Sequence, residues 1–176
     1  AMTDLARGLG FAGRVGDFDS AHAAYQRGRY ATALRRLRPL VDEGDARAQA
    51  TLGLRYANGR GVPRDEREAV KWLRLAADQG NALGQSQLGL MYAKGRGVPQ
   101  DYSEAAMLYR LAAEQGFAQA QHDLGFLYAT GEGVPQDTTE AARWYAAAAS
   151  PADRAVVGEV YPELLPQGDN RATTLR

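Results

Sequence analysis

A block of 36 residues recurs in tandem, and that period constrains the fold more than any local propensity does. Residues 45–80 read DARAQATLGLRYANGRGVPRDEREAVKWLRLAADQG and residues 81–116 read NALGQSQLGLMYAKGRGVPQDYSEAAMLYRLAAEQG, identical at 21 of 36 positions. A third copy over 117–150 keeps the same skeleton and stops two residues short. One copy alone has too little apolar surface to bury, so about three neighbours must stack to make a core. A chain of 176 residues has room for one such stack.

Each copy reads as two helices. In the first, Ala48, Leu52 and Tyr56 recur four residues apart, and Gly84, Leu88, Tyr92 and Ala120, Leu124, Tyr128 repeat that apolar stripe. Gly53, Gly89 and Gly125 sit mid-helix, where each costs about 1 kcal/mol relative to Ala. The cost is tolerable if the missing side chain lets the partner helix come close. The second helix is predicted to open at Asp65, Asp101 and Asp137, each followed three residues on by Glu68, Glu104 and Glu140. That spacing is a capping box: the Asp accepts from an early backbone N–H and the Glu reaches back to the cap. The buried face is expected to be Ala69, Leu73, Ala76, then Ala105, Tyr109, Ala112, then Ala141, Tyr145, Ala148, with Trp72 and Trp144 beside it. Gly80 and Gly116 should end the helix in the left-handed conformation.

Gly-x-Gly-Val-Pro joins the two helices (Gly59 to Pro63, Gly95 to Pro99, Gly131 to Pro135). Each proline holds the preceding Val62, Val98 or Val134 extended, and these valines are expected to plug the space under the loop. Eleven of the 20 glycines fall at four equivalent repeat positions, so they punctuate structure rather than signal disorder. The pattern Leu-Gly-x-x-Tyr, Gly-x-Gly-Val-Pro-x-Asp, Ala-x-x-x-Leu/Tyr-x-x-Ala and a closing Glu/Asp-Gln-Gly resembles the Sel-one-like repeat (SLR) family, relatives of the tetratricopeptide repeats, three times over residues 45–150. The resemblance implies an all-α fold, an α/α superhelical repeat solenoid of helix-turn-helix pairs, first helices inside the curve and second helices outside.

Upstream, Ala24, Tyr25, Gly28, Tyr30, Ala33, Leu37 and Leu40 resemble an ordinary tetratricopeptide unit with a shorter turn, over residues 19–44, with Pro39 a candidate kink in its second helix. Downstream, residues 151–176 leave the pattern, and a short capping helix over 152–160, stopped by Pro162, is expected before a polar tail. The chain over 1–176 is thus read as a single solenoid domain: the N-terminal unit, repeats 45–80, 81–116 and 117–150, then the cap and tail.

Twenty-one basic residues cancel 21 acidic ones, leaving no long-range field to attract a phosphate backbone or an anionic membrane, so nucleic acid is not an expected partner. The absence of cysteine excludes disulfides, a thiolate nucleophile and thiolate metal sites. No apolar run approaches the ~20 residues of a membrane span. The start, Ala1-Met2-Thr3-Asp4, lacks the basic and apolar stretches of a signal peptide. Ala1 before Met2 reads as a tag remnant, which makes Met2 the natural start and the protein cytoplasmic by default, or periplasmic if a precursor segment has been removed; separately, a monomer is expected.

Function has to be argued from the surface, since fold does not imply it. The first-helix positions that face away from the buried stripe are Arg47, Ala50, Thr51, Leu54 and Asn58, then Leu83, Ser86, Gln87, Leu90 and Lys94, then Gln119, His122, Asp123, Phe126 and Thr130. The family's geometry implies that they line a concave groove, and apolar anchors among polar residues suit a partner protein or peptide. Alternatively, Leu54, Leu90 and Phe126 pack against neighbouring helices. Arg55 stands where Met91 and Leu127 stand in the other copies, and is expected to pair with an acid of the N-terminal unit or else to point into the groove. Arg35, Arg36 and Arg38 read as a solvated helix face, with an acidic partner as the alternative.

No catalytic centre emerges. Gly8-Leu9-Gly10-Phe11-Ala12-Gly13 spells a dinucleotide fingerprint, but no strand precedes it. His22 and His122 lie 100 positions apart, with no metal-ligand spacing. His122 beside Asp123 reads as groove wall rather than an acid–base pair, and the serines sit in no nucleophile motif. The Asp/Glu pairs recur identically in every copy, as caps do, whereas catalysis needs one pair. The reading is a non-catalytic adaptor without cofactor or metal. Two alternatives stand beside it. Cysteine-rich relatives are proposed to bind or cleave β-lactams, although this chain has neither their cysteines nor a serine motif. The tail from Gln167 to Arg176 could also lie in its own or a neighbour's groove, giving weak self-association.

Overall fold

The computed structural model describes residues 17–149, and every regular element among them is an α-helix. These are α1 (residues 17–26), α2 (Tyr30–Asp42), α3 (Ala46–Asn58), α4 (Glu66–Asp78), α5 (Ala82–Lys94), α6 (Tyr102–Glu114), α7 (Ala118–Thr130) and α8 (Thr138–Ala148). The expected helix pairs are therefore present in the 36-residue register. The Gly8–Gly13 run, the capping helix after residue 150 and the polar tail fall outside the described residues. The helices form two compact units, one up to Gly84 and one from Gln85. In the first, α3 packs against α2 and α4; in the second, α7 packs against α6 and α8.

Small residues set the distance within each pair. A Cβ added to Gly53 would lie 2.7 Å from Cγ of Leu73, one on Gly89 2.8 Å from the Tyr109 ring, and one on Gly125 3.1 Å from the Tyr145 ring. The mid-helix glycines thus let the large residue of the second helix press directly on the first helix's backbone. Leu73, Leu88 and Leu124 are sealed from solvent, and burying such a side chain contributes about 1.5–3 kcal/mol. Ala69, Ala76, Ala105 and Ala112 are fully buried as expected, whereas Tyr145, Ala148 and both tryptophans are half-buried. Val62, Val98 and Val134 are likewise half-buried.

The helix starts correct the capping-box expectation by half. Asp65, Asp101 and Asp137 each accept from the backbone N–H of the residue three on, at 3.0 Å. Their own N–H groups, however, donate to the carbonyls of Tyr56, Tyr92 and Tyr128, at 3.0, 3.0 and 2.9 Å. The Glu therefore has no orphan donor to reach back to, because the preceding helix has already taken it. Glu68 instead accepts from Trp72 Nε1 at 3.2 Å and from Lys71 Nζ at 3.3 Å.

Helix ends behave as the glycines suggested. After α4, Gly80 N–H donates to Ala77 O and Asn81 N–H to Ala76 O; after α6, Gly116 and Phe117 repeat this on Ala113 and Ala112. Both glycines have φ above +80°, so the paired bonds form Schellman ends. The N-terminal unit has the shorter turn expected of it, with only residues 27–29 between α1 and α2, and α2 runs through Pro39 as one helix. A buried glutamine closes a pair from within: Gln79 Nε2, at the end of α4, donates to Gln49 Oε1 of α3 at 2.7 Å, and Gln115 Nε2, at the end of α6, to Gln85 Oε1 of α5 at 2.8 Å.

Candidate functional site

The first-helix faces hold the residues singled out from the sequence, and the structure sorts them by exposure. In the unit ending at Gly84, Arg47 and Asn58 are exposed, Thr51, Leu54 and Leu83 are half-buried, and Ala50 is sealed. The Arg47 guanidinium lies 4.5 Å above the Phe18 ring and 3.6 Å from Asp45. Thr51 Oγ1 donates to Arg47 O at 2.8 Å and is turned back on its own helix.

In the unit from Gln85, Lys94, Gln119, His122, Phe126 and Thr130 are exposed, and Gln87, Leu90 and Asp123 are half-buried. Ser86 is 1% exposed with its Oγ unpartnered, so it belongs to the core. Spacing on α7 brings Gln119, His122 and Asp123 together: Asp123 Oδ1 accepts from Gln119 Nε2 at 3.0 Å and lies 3.4 Å from His122 Nδ1. The His122 ring sits 5.3 Å from that of Tyr145. One turn on, Phe126 is 49% exposed, while Leu127 beside it is 2% exposed. An exposed aromatic side chain thus stands among polar residues on a single helix face.

Arg55 departs from both expectations. It is 6% exposed and pairs with no acid among the described residues; its guanidinium carbon lies 3.2 Å over the Tyr25 ring. Its Nε is sealed with no hydrogen-bond partner. Burial lowers its pKa below the ordinary arginine value, Tyr25 and Tyr30 oppose that shift, and nearby Arg60 adds to it. Arg60 donates from Nη1 to the Tyr25 hydroxyl at 3.1 Å, which raises its own pKa. Taking a guanidinium out of water costs several kcal/mol, and a cation–π contact returns about 2 kcal/mol. The α1 tyrosine is thus a partial counterweight to the buried charge.

Two further surfaces were not singled out from the sequence. A cleft of about 650 Å³ lies where α2 faces α3 and α4, lined by Leu37, Leu52, Tyr56 and Trp72 with Arg35 and Arg38. The basic cluster is therefore divided: Arg36 donates to Ser20 Oγ at 2.8 Å, and the other two border the cleft. On α6, Met107 and Leu111 are 59% and 49% exposed. Their four-residue spacing was the available signal, but it lay on a helix read only for its buried side. Among the described residues no three His, Asp or Glu side chains gather as a metal site, and no helix is long and apolar enough to cross a membrane.

Paired helices in a fixed 36-residue register, with pair-internal glycines and repeated Asp caps, define an all-helical repeat protein of the tetratricopeptide-like kind. The Sel1 repeat family model matches residues 46–81, 82–117 and 118–150, more than half of the chain, and the chain belongs to the Sel1 repeat family. It is similar to c5321, a protective antigen of uropathogenic Escherichia coli strains displaying an SLR fold, at 33% identity and a TM-score of 0.73 over 88% of this chain and 33% of that one. It is similar to a Sel1 repeat protein from Oxalobacter formigenes at the same identity and TM-score, over 82% of this chain and 57% of that one. The chain therefore spans about a third of the first protein and little more than half of the second. Helicobacter pylori cysteine-rich protein B shares the fold, at 19% identity and a TM-score of 0.52 over 78% of this chain and 94% of that one. No curated protein matches the chain.

Proposed function

We propose that this chain is a non-catalytic adaptor that binds a partner protein or peptide on the outward faces of its first helices. Sel1 repeat proteins are commonly protein-interaction scaffolds, which supports the general reading. The observation that carries the finer one is Phe126, a half-exposed aromatic on α7 flanked by His122 and Thr130. Aromatic anchors set in a polar rim concentrate binding energy at interfaces. The Asp/Glu pairs support the non-catalytic part, because each Asp is already occupied as a helix cap.

The test is a crosslinking pull-down from the native host with wild type and a Leu90→Asp, Phe126→Asp variant. Wild type should recover a specific partner that the variant loses, with helicity by circular dichroism unchanged. Equal recovery by both proteins would remove these faces from the proposal.

A further inference from the structure

The chain's zero net charge conceals a local excess of one sign. From Ser20 to Val41 it carries five arginines and no acidic residue. Arg35 and Arg38 border the cleft of α2, α3 and α4, whereas Arg27, Arg29 and Arg36 line a separate cavity of about 230 Å³ where α1 turns into α2, together with Ser20 and Thr32. No carboxylate lines that cavity. Its three cations repel one another, and a recess walled by one sign of charge draws ions of the other. Arg36 is fixed in place, since its Nη1 donates to Ser20 Oγ at 2.8 Å and to Ser20 O at 3.3 Å. The bond to Oγ uses a lone pair of the hydroxyl, whose own proton is left to donate. The guanidinium groups of Arg27 and Arg29 and the hydroxyl of Thr32 meet no partner among the described residues. All three arginines are exposed and both hydroxyl residues half-buried, so the donors surround a mouth that an incoming group can reach.

We infer that the cavity between α1 and α2, with Arg27, Arg29 and Arg36 around Ser20 and Thr32, is a receptor for a phosphate monoester. A phosphoryl group carries about −1.5 to −2 charge at neutral pH and three strong acceptor oxygens, which suits three guanidinium groups and two hydroxyls. A carboxylate has a single charge and two oxygens, and one guanidinium fork already satisfies it. It would leave the remaining two cations of the cavity unanswered. The bond from Arg36 to Ser20 sets part of the site before any ligand arrives, which reduces the ordering needed on binding. A phosphorylated segment of a partner protein is the source that the adaptor reading would supply; the cavity itself uses none of the α3, α5 and α7 residues on which that reading rests.

The test titrates the full-length ¹⁵N-labelled protein with a blocked alanine–phosphoserine–alanine peptide, its serine and glutamate counterparts, inorganic phosphate, and sodium chloride at matched ionic strength. The phosphopeptide should move the backbone amide resonances of residues 27–32 saturably, whereas chloride and the serine peptide should not. Replacing both exposed cations (Arg27→Gln, Arg29→Gln) should weaken phosphopeptide binding by about tenfold or more and leave the melting temperature where it is. The control, Arg35→Gln with Arg38→Gln, removes the same charge from the other cleft and should change binding by about twofold at most. A control that weakens binding as much as the first pair does would reduce the site to a general basic field and overturn the assignment. So would a glutamate peptide that binds as tightly as the phosphopeptide, or the absence of any saturable shift. Inorganic phosphate binding as tightly as the phosphopeptide points to a small phosphate as the natural occupant; a tighter phosphopeptide points to a phosphorylated segment. Phosphopeptide binding should persist in the Leu90→Asp, Phe126→Asp variant even where the host partner is lost, and its loss there would overturn the placement between α1 and α2.

Discussion

A methyl group added at Gly133 would sit 2.3 Å from the carbonyl carbon and oxygen of Tyr102, at a φ of +70°. Gly116 has a φ of +84° with nothing within 4 Å of the added carbon. The two positions separate backbone strain from collision. Alanine at Gly116 should cost about 1–2 kcal/mol for the left-handed conformation alone. Alanine at Gly133 should cost about 3 kcal/mol or more, because backbone atoms must also give way. Urea unfolding midpoints for the two variants check the order, and equal midpoints would show that the loop moves freely off α6. Arg55 shows how far single residues can be read. A cation in an apolar column announced that something unusual was buried, but its partner proved to be the face of Tyr25, a residue thirty positions earlier in the chain. No spacing rule connects the two, because their meeting depends on how α1 lies against α3.

At the scale of the helix, repetition made the boundaries legible. Three Asp residues at one register marked three helix starts, and three caps are there at 3.0 Å. The second half of the box is missing for a reason outside the helix itself, since the carbonyl of Tyr56, Tyr92 or Tyr128 satisfies the cap N–H first. Asp101→Ala is therefore expected to destabilise by about 1 kcal/mol. Glu104→Gln should cost only about 0.3–0.5 kcal/mol, the loss of a charge near a helix N-terminus. Denaturant melts of the pair check this, and a Glu104 effect as large as that of Asp101 would restore the full box. The glutamines were a missed signal of the same kind. Gln49, Gln85 and Gln121 share one register and are all buried, yet an isolated glutamine reads as surface. Only the approach of the closing Gln79 or Gln115 shows two of them to be locks.

Across the whole chain, stability should respond to alkaline pH through one buried phenol. Burial raises the Tyr109 pKa above its ordinary value, with Asp123 and Tyr102 adding to the shift. A group whose folded pKa is raised keeps its full contribution below the unfolded pKa, about 10 for tyrosine, and loses it as pH climbs from there toward the folded value. Melting temperature should hold up to about pH 10 and then fall, and Tyr109→Phe should make that fall shallower; parallel curves would show that the phenol ionises freely. By itself the sequence determined the repeat period, the all-helical class, the helix starts and ends, and the small-residue seams within each pair. Those depend on neighbours a few residues away or on an echo 36 residues along. Tertiary structure alone decided which donors were already taken, which aromatic faces Arg55, and why Phe126 stands out while Leu54 and Leu90 are half-covered. Each of those outcomes is set by atoms brought together from separate helices, and contact across helices follows from packing rather than from position along the chain.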